Sequence, residues 1–146
     1  MARVKIAGVA SSLPSRTVTN FDLEALVDTS DDWIRKRTGI AERRAVTVET
    51  TGSMAADAAR RALENAGVAP EDVGLIVACT ITGDFVTPSL ASGVQRALGI
   101  ESCAAMDVAA GCTGFVYALV TAASLMETLD LQAAIVVASE SMTRCA

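Results

Sequence analysis

The residue types best suited to chemistry stand together in Asp107-Val108-Ala109-Ala110-Gly111-Cys112-Thr113-Gly114-Phe115-Val116-Tyr117, an apolar run that breaks into small residues around one cysteine. The stretch from Cys103 to Val108 is short and apolar enough for a buried strand, and helix-forming residues follow from about Thr113 to Thr128. Cys112 is therefore expected at a strand-to-helix turn. The start of a helix presents unpaired N–H groups and a positive dipole end, which favour thiolate over thiol in a cysteine held there. Gly111 and Gly114 would let a carbonyl group come close to the backbone. Attack of sulfur on a carbonyl carbon is the chemistry such a turn could perform. A free cysteine can equally be a small buried hydrophobe, and the local sequence leaves both readings open.

A second candidate lies in Asp28-Thr29-Ser30-Asp31-Asp32-Trp33-Ile34-Arg35-Lys36-Arg37-Thr38-Gly39-Ile40. Ser30 can cap a helix whose first turn is acidic, whose last turn is basic and which Gly39 can stop. Trp33 and Arg37 are four apart and so share a helix face, where a ring and a guanidinium could hold a nucleotide base. A surface helix whose tryptophan covers a neighbouring loop is the other reading.

The elements that must carry these residues follow in order. Val4–Ala10 reads as a first strand, closed by Leu13-Pro14-Ser15. Asn20 reads as the cap of a helix with Phe21, Leu23, Leu26 and Val27 on its apolar side. Thr51 reads as the cap of a helix from Met54 to Asn65, with Ala55, Ala58, Ala59, Ala62 and Leu63 inward and Gly67 as its stop. Val73 to Thr80 is the most strand-like run, continuous enough in apolar residues for burial on both faces. Ile81 to Thr87 is a loop, Pro88 stands in the first turn of a helix from about Ser89 to Leu98, and a last strand covers Ala133 to Ser139. Strands alternating with helices make an α/β fold with a largely parallel sheet.

Composition sets bounds. The 146 residues, 51% of them apolar, suit one domain, residues 1–146, with a sizeable core. Twelve basic against 17 acidic residues, without a long basic run, argue against a nucleic-acid footprint. No apolar run is long enough to span a bilayer and the segment after Met1-Ala2-Arg3 is a poor export signal, so a cytoplasmic location is expected. Four cysteines, at 79, 103, 112 and 145, have irregular spacing and fit reduced thiols; no metal site is expected. No Gly-x-Gly-x-x-Gly or P-loop stands behind a nucleotide fold, and no internal repeat is present. The chain has no histidine, so it cannot form a Cys-His pair from its own residues.

Four stretches together resemble the β-ketoacyl-acyl-carrier-protein synthase III family of thiolase-fold condensing enzymes, and specifically its N-terminal half: the opening run to Leu13-Pro14 with Thr19-Asn20, the segment Asp28 to Ile34 with Arg37 to Ile40, Gly74-Leu75-Ile76-Val77, and Asp107 to Phe115. The resemblance implies a thiolase-like half with a mostly parallel mixed sheet and helices on both faces. It implies that Cys112 is a nucleophile taking an acyl group from acyl-CoA before decarboxylative condensation with malonyl-acyl-carrier protein, in fatty-acid or polyketide-type synthesis. It implies that Thr29, Trp33 and Arg37 bind the nucleotide end of coenzyme A, and that Thr87 lies in the acyl pocket, where a small side chain leaves room for a longer or branched chain. No cofactor is implied beyond acyl-CoA as substrate.

The family's decarboxylating histidine and asparagine lie in a second half that these residues do not include. The expected partners are acyl-CoA, an acyl-carrier protein, a second half or second chain supplying histidine and asparagine, and a second copy in a homodimer. An acyl-binding or acyl-carrying module without condensing activity is the alternative, and a thiol redox or regulatory protein using Cys112 is a third reading. The basic set Arg35, Lys36, Arg37, Arg43 and Arg44 could attract CoA phosphates or an acidic carrier, or be plain solvated surface.

Overall fold

The run Val73–Cys79 forms strand β3, the centre of a three-stranded parallel sheet between β4, Ala104–Val108, and β5, Ala133–Ala138. The structure, a computed structural model, describes residues 4–144. Met1 to Arg3, the thiol of Cys145 and Ala146 lie outside the described residues. Leu75, Ile76, Val77 and Ala78 are fully buried, as the continuous apolar run requires when both sheet faces are covered. Each large side chain so buried contributes about 1.5–3 kcal/mol relative to exposure.

The two faces are covered by different helices. Ile76 and Ala78 pack under α3, Thr51–Ala66, and α4, Leu90–Leu98; Leu75, Val77 and Cys79 pack under α5, Gly114–Thr128. A register shift between Val73 and Leu75 turns Val73 to the same face as Ile76. This is the expected α/β layering with helices on both faces. The antiparallel pairing is separate from the parallel sheet: β1, Arg16–Thr19, pairs with β2, Glu42–Ala45, around two short helices, α1, Asn20–Glu24, and α2, Asp31–Thr38.

Several boundaries differ from the sequence expectation. Val4–Ala10 is not a strand. It runs along α3 so closely that a Cβ on Gly8 would meet the Ala62 carbonyl oxygen at 2.5 Å, and the Asn65 side-chain amide donates to the Val9 carbonyl at 2.9 Å. A cleft of about 1560 Å³ is lined by this run and by β5, through Ile6, Val9, Ala134 and Val136 among others, and the run pairs with none of the described strands. Apolar composition gave the run strand character, and pairing depends on a neighbour.

Asn20 is not a cap. Thr19 is: its backbone is extended, its hydroxyl accepts from Asp22 N, and the Asp22 carboxylate accepts from Thr19 N. Asn20 is instead fully buried, donating to Asp31 Oδ1 at 2.8 Å and the Ile40 carbonyl at 2.9 Å and accepting from Arg43 at 2.7 Å. The apolar side expected for this helix is largely open, with Phe21, Leu26 and Val27 exposed. Thr50, not Thr51, caps α3 in a capping box with Ser53, which frees buried Thr51 for other work. Ser89 caps α4, and Pro88 precedes that helix through a cis peptide from Thr87. The Ser30 cap and the left-handed Gly39 stop of α2 are as expected.

Candidate active site

Because β3, β4 and β5 are parallel and in register at Cys79, Val108 and Ala138, the segments that follow them leave the sheet at one end. Those segments are the loop from Thr80 to Ser89, the bend from Ala109 to Thr113, and the stretch from Ser139 to Arg144. Clefts at the carboxyl end of parallel strands are where α/β folds assemble chemistry.

The bend is a single tight turn, Gly111–Thr113, joined to the start of α5. Gly111 has φ +53°, a left-handed conformation that disfavours any side chain with a Cβ. Thr113 makes no side-chain cap to α5; its hydroxyl donates to the Ala110 carbonyl at 3.0 Å. The first turn of α5 thus keeps its positive end beside Cys112, uncapped by Thr113. Cys112 is exposed, whereas Cys79 is buried and Cys103 half-buried, and all three are free thiols. Burial pushes the Cys79 thiol up, with the Glu140 carboxylate adding to the effect, and burial pushes Cys103 up as well. Among the described cysteines, Cys112 is the exposed one.

The bend is seated on Cys79. Gly114 is buried, and a Cβ built on it would run into Cys79 Sγ, with Cys79 Cβ at 3.5 Å. The helix that follows Cys112 therefore approaches β3 as closely as a residue without a side chain permits.

Three carboxylates hold the neighbouring loops, and no local sequence pattern had marked two of them, Glu140 and Asp84. Glu140 accepts from the amides of Ile81 at 2.8 Å and Thr82 at 3.0 Å and from the hydroxyls of Thr80 and Thr82. Asp84 accepts from Thr51 N at 3.2 Å, Gly52 N at 2.7 Å and Arg144 at 2.6 Å. Its burial alone would raise its pKa, but these donors win and hold the carboxyl below its ordinary value. Asp107 accepts from Leu90 N at 2.7 Å and Ala91 N at 2.8 Å, tying the end of β4 to the start of α4. Beneath them the Thr51 hydroxyl meets the Thr82 carbonyl at 2.7 Å and the Ser141 hydroxyl at 2.8 Å, and Ser139 donates to the Thr51 carbonyl at 2.8 Å. Asp107 was the one carboxylate with a legible signal, since it opens the cysteine stretch.

Thr87 lies exposed in the loop that Asp84 and Asp107 bracket, at the same sheet end as Cys112. Trp33 and Arg37 face each other on α2, with the guanidinium carbon 4.8 Å from the ring centroid and the tryptophan 53% exposed. Thr29 is half-buried just before that helix. These three sit on the β1–β2 unit, which joins the sheet end through Val46 N donating to Thr143 Oγ1 at 3.2 Å. Of the basic set, Arg35 pairs with Asp31, Arg43 donates into the Asn20 cluster and Arg44 to the Ser15 carbonyl. No metal-ligating cluster occurs among the described residues, and none of their helices is long and apolar enough to cross a membrane.

Residues 106–146 match the family model for 3-oxoacyl-[acyl-carrier-protein] synthase III. Over 141 residues the chain is 50% identical to a β-ketoacyl-[acyl-carrier-protein] synthase III of Serratia proteamaculans, covering 96% of this chain and 44% of that protein. It superposes on the crystal structure of 3-oxoacyl-[acyl-carrier-protein] synthase III from Aquifex aeolicus with a TM-score of 0.92 and 42% identity, covering 96% of this chain and 46% of that one. The priming β-ketosynthase of the R1128 polyketide pathway matches with a TM-score of 0.91 at 38% identity over 97% of this chain and 45% of that chain. The chain thus resembles these synthases over nearly its whole length, has the thiolase-like fold of their corresponding part, and spans about half their length.

Proposed function

We propose that this chain is the acyl-accepting part of a condensing enzyme of the β-ketoacyl-acyl-carrier-protein synthase III kind. One observation carries the reading: Cys112 is an exposed thiol in a tight turn at the uncapped start of α5, at the sheet end where three loops converge. In the proposed step the Cys112 sulfur, as thiolate, attacks the carbonyl carbon of an acyl-CoA. A new carbon–sulfur bond forms, the bond to the CoA sulfur breaks, and the CoA thiolate leaves and takes up a proton. One thioester replaces another, so little free energy separates the two sides, and N–H groups at the helix start stabilise the oxyanion that develops.

In this reading Trp33 stacks on the adenine end of CoA and Arg37 brings positive charge to it, with Thr29 beside them, and Thr87 borders the acyl chain. Support comes from the preset Trp33–Arg37 pair, which offers a flat face and a positive charge to a nucleotide. The condensation that would follow, with malonyl-acyl-carrier protein, needs a histidine and an asparagine that polarise and decarboxylate the malonyl thioester. These 146 residues contain no histidine, so that step requires groups from outside them.

The apolar face of α5, with Phe115, Val116 and Val120 at 48%, 59% and 60% exposure, fits cover by the remaining half of such a fold or by a second copy in a dimer. The lack of histidine also favours a second reading, an acyl-carrying module without condensing activity.

Intact-mass measurement after mixing with acetyl-CoA or a longer acyl-CoA tests the first step. One added acyl group, lost in Cys112→Ser, is the expected result; equal labelling of Cys112→Ser would remove Cys112 as the nucleophile. Formation of a β-ketoacyl product from malonyl-carrier substrate separates the condensing enzyme from the carrying module.

A further inference from the structure

The loop between β3 and α4 is pinned at three places by carboxylates that lie on three different segments. Glu140 holds its start through Thr80, Ile81 and Thr82. Asp107 holds its far end through the amides of Leu90 and Ala91. Asp84, the middle pin, is a residue of the loop itself and turns inward, its side chain 16% exposed, while the next two residues, Phe85 and Val86, are 74% and 102% exposed. Only three residues, Phe85 to Thr87, lie between the inward carboxylate and Pro88.

We infer that Asp84 is a positioning residue for acyl-chain selectivity: by accepting from Gly52 N and Thr51 N at the start of α3 and from Arg144, it sets where Thr87 stands relative to Cys112. The inference rests on the reading of Thr87 as a border of the acyl pocket. Its physical content is geometric. Two backbone amides and one guanidinium fix both carboxylate oxygens at once, at 3.2, 2.7 and 2.6 Å, so the Cα of residue 84 has little freedom. The buried hydroxyls of Thr51, Ser139 and Ser141 brace the surface against which it is fixed. Arg144 joins the pin from the stretch after β5, so the same ion pair couples two of the three loops at the sheet end.

Asp84→Asn keeps the size of the side chain but removes the charge and one acceptor oxygen, so it cannot satisfy the amides and Arg144 together. Arg144→Gln, at a half-exposed side chain, loosens the pin from outside and carries the test if Asp84→Asn does not fold. In the full chain, Cys112 acylation rates are measured by intact mass for acetyl-CoA and for a longer acyl-CoA on the same sample. The ratio of the two rates cancels any loss of folded protein, which a merely structural role would produce. A pocket wall displaced by about one methylene changes such a ratio roughly tenfold, and that is the expected shift in Asp84→Asn, with a smaller shift of the same sign in Arg144→Gln. A parent chain that acylates normally while both variants keep its ratio to within about twofold overturns the role of Asp84. A parent chain that takes up no acyl group refutes the acylation reading itself, and the selectivity role with it.

Discussion

Replacing Gly114 with alanine tests the seating of the cysteine bend, because two opposing effects can be separated there. Alanine in a helix is favoured over glycine by about 0.8–1 kcal/mol, so by helix propensity alone the change would stabilise α5. Against this, the new methyl would occupy the space of Cys79 Sγ, which is buried among Leu75, Val77, Ala118 and Ala122. Forcing an extra methyl into a filled core costs about 1–3 kcal/mol. The net expectation is destabilisation of about 0.5–2 kcal/mol, read as a lower urea midpoint at unchanged slope.

Cys79→Ala removes the sulfur and leaves Cys79 Cβ 3.5 Å from the new methyl, an ordinary contact. The double variant should therefore be more stable than the sum of the two single changes by about 1–2 kcal/mol, within the range seen for touching side chains. Alkylation of Cys112 by iodoacetamide, followed on the same proteins, should change in Gly114→Ala and recover in the double variant, since residue 114 lies two positions beyond the thiol. A Gly114→Ala protein as stable as its parent, or equally destabilised with and without the Cys79 sulfur, would refute the seating argument.

Other consequences are as direct. Asn20→Ala removes three hydrogen bonds of a buried side chain, while Arg43 keeps the Val18 carbonyl and Asp31 keeps Arg35, and should cost about 1–3 kcal/mol in urea unfolding. Asp84 has a folded pKa below its ordinary value of 3.8, so its contribution is fully present above that value and is lost as pH falls through the lower folded value; acid unfolding should be shallower below pH 3.8 in Asp84→Asn than in the parent. Trp33→Ala should raise the acyl-CoA concentration needed for half-maximal Cys112 labelling by about tenfold, with the rate at saturation unchanged, as for loss of a stacked base. A lowered saturating rate with the same half-maximal concentration would speak against Trp33 as a CoA contact.

Much of the architecture was legible in the sequence because it is locally encoded. The continuous apolar run of β3, the glycine stops at Gly39 and Gly67 and the serine cap at Ser30 each specify an element from residues within a few positions, and each forms as expected. The same local signals placed Cys112 in a bend before a helix and set Trp33 over Arg37. Errors arose where two neighbouring residues could do the same local job, as at Thr19 and Asn20 or Thr50 and Thr51, and burial of the second residue of each pair decided the matter. Val4–Ala10 shows the other kind of limit, since a strand exists only beside an edge that can pair with it.

Sequence alone therefore determined the alternation of strands and helices, the bend that carries the candidate thiol, and the helix face that Trp33 and Arg37 share, while the exposure of Cys112 came from the tertiary structure. Tertiary structure alone decided what holds them. Glu140, Asp84 and Asp107 find amide partners 58, 32 and 16 residues away, and Gly114 meets Cys79 across the sheet. A carboxylate's partner across such distances depends on which loops the parallel register brings to one end, and no window of local sequence contains that information.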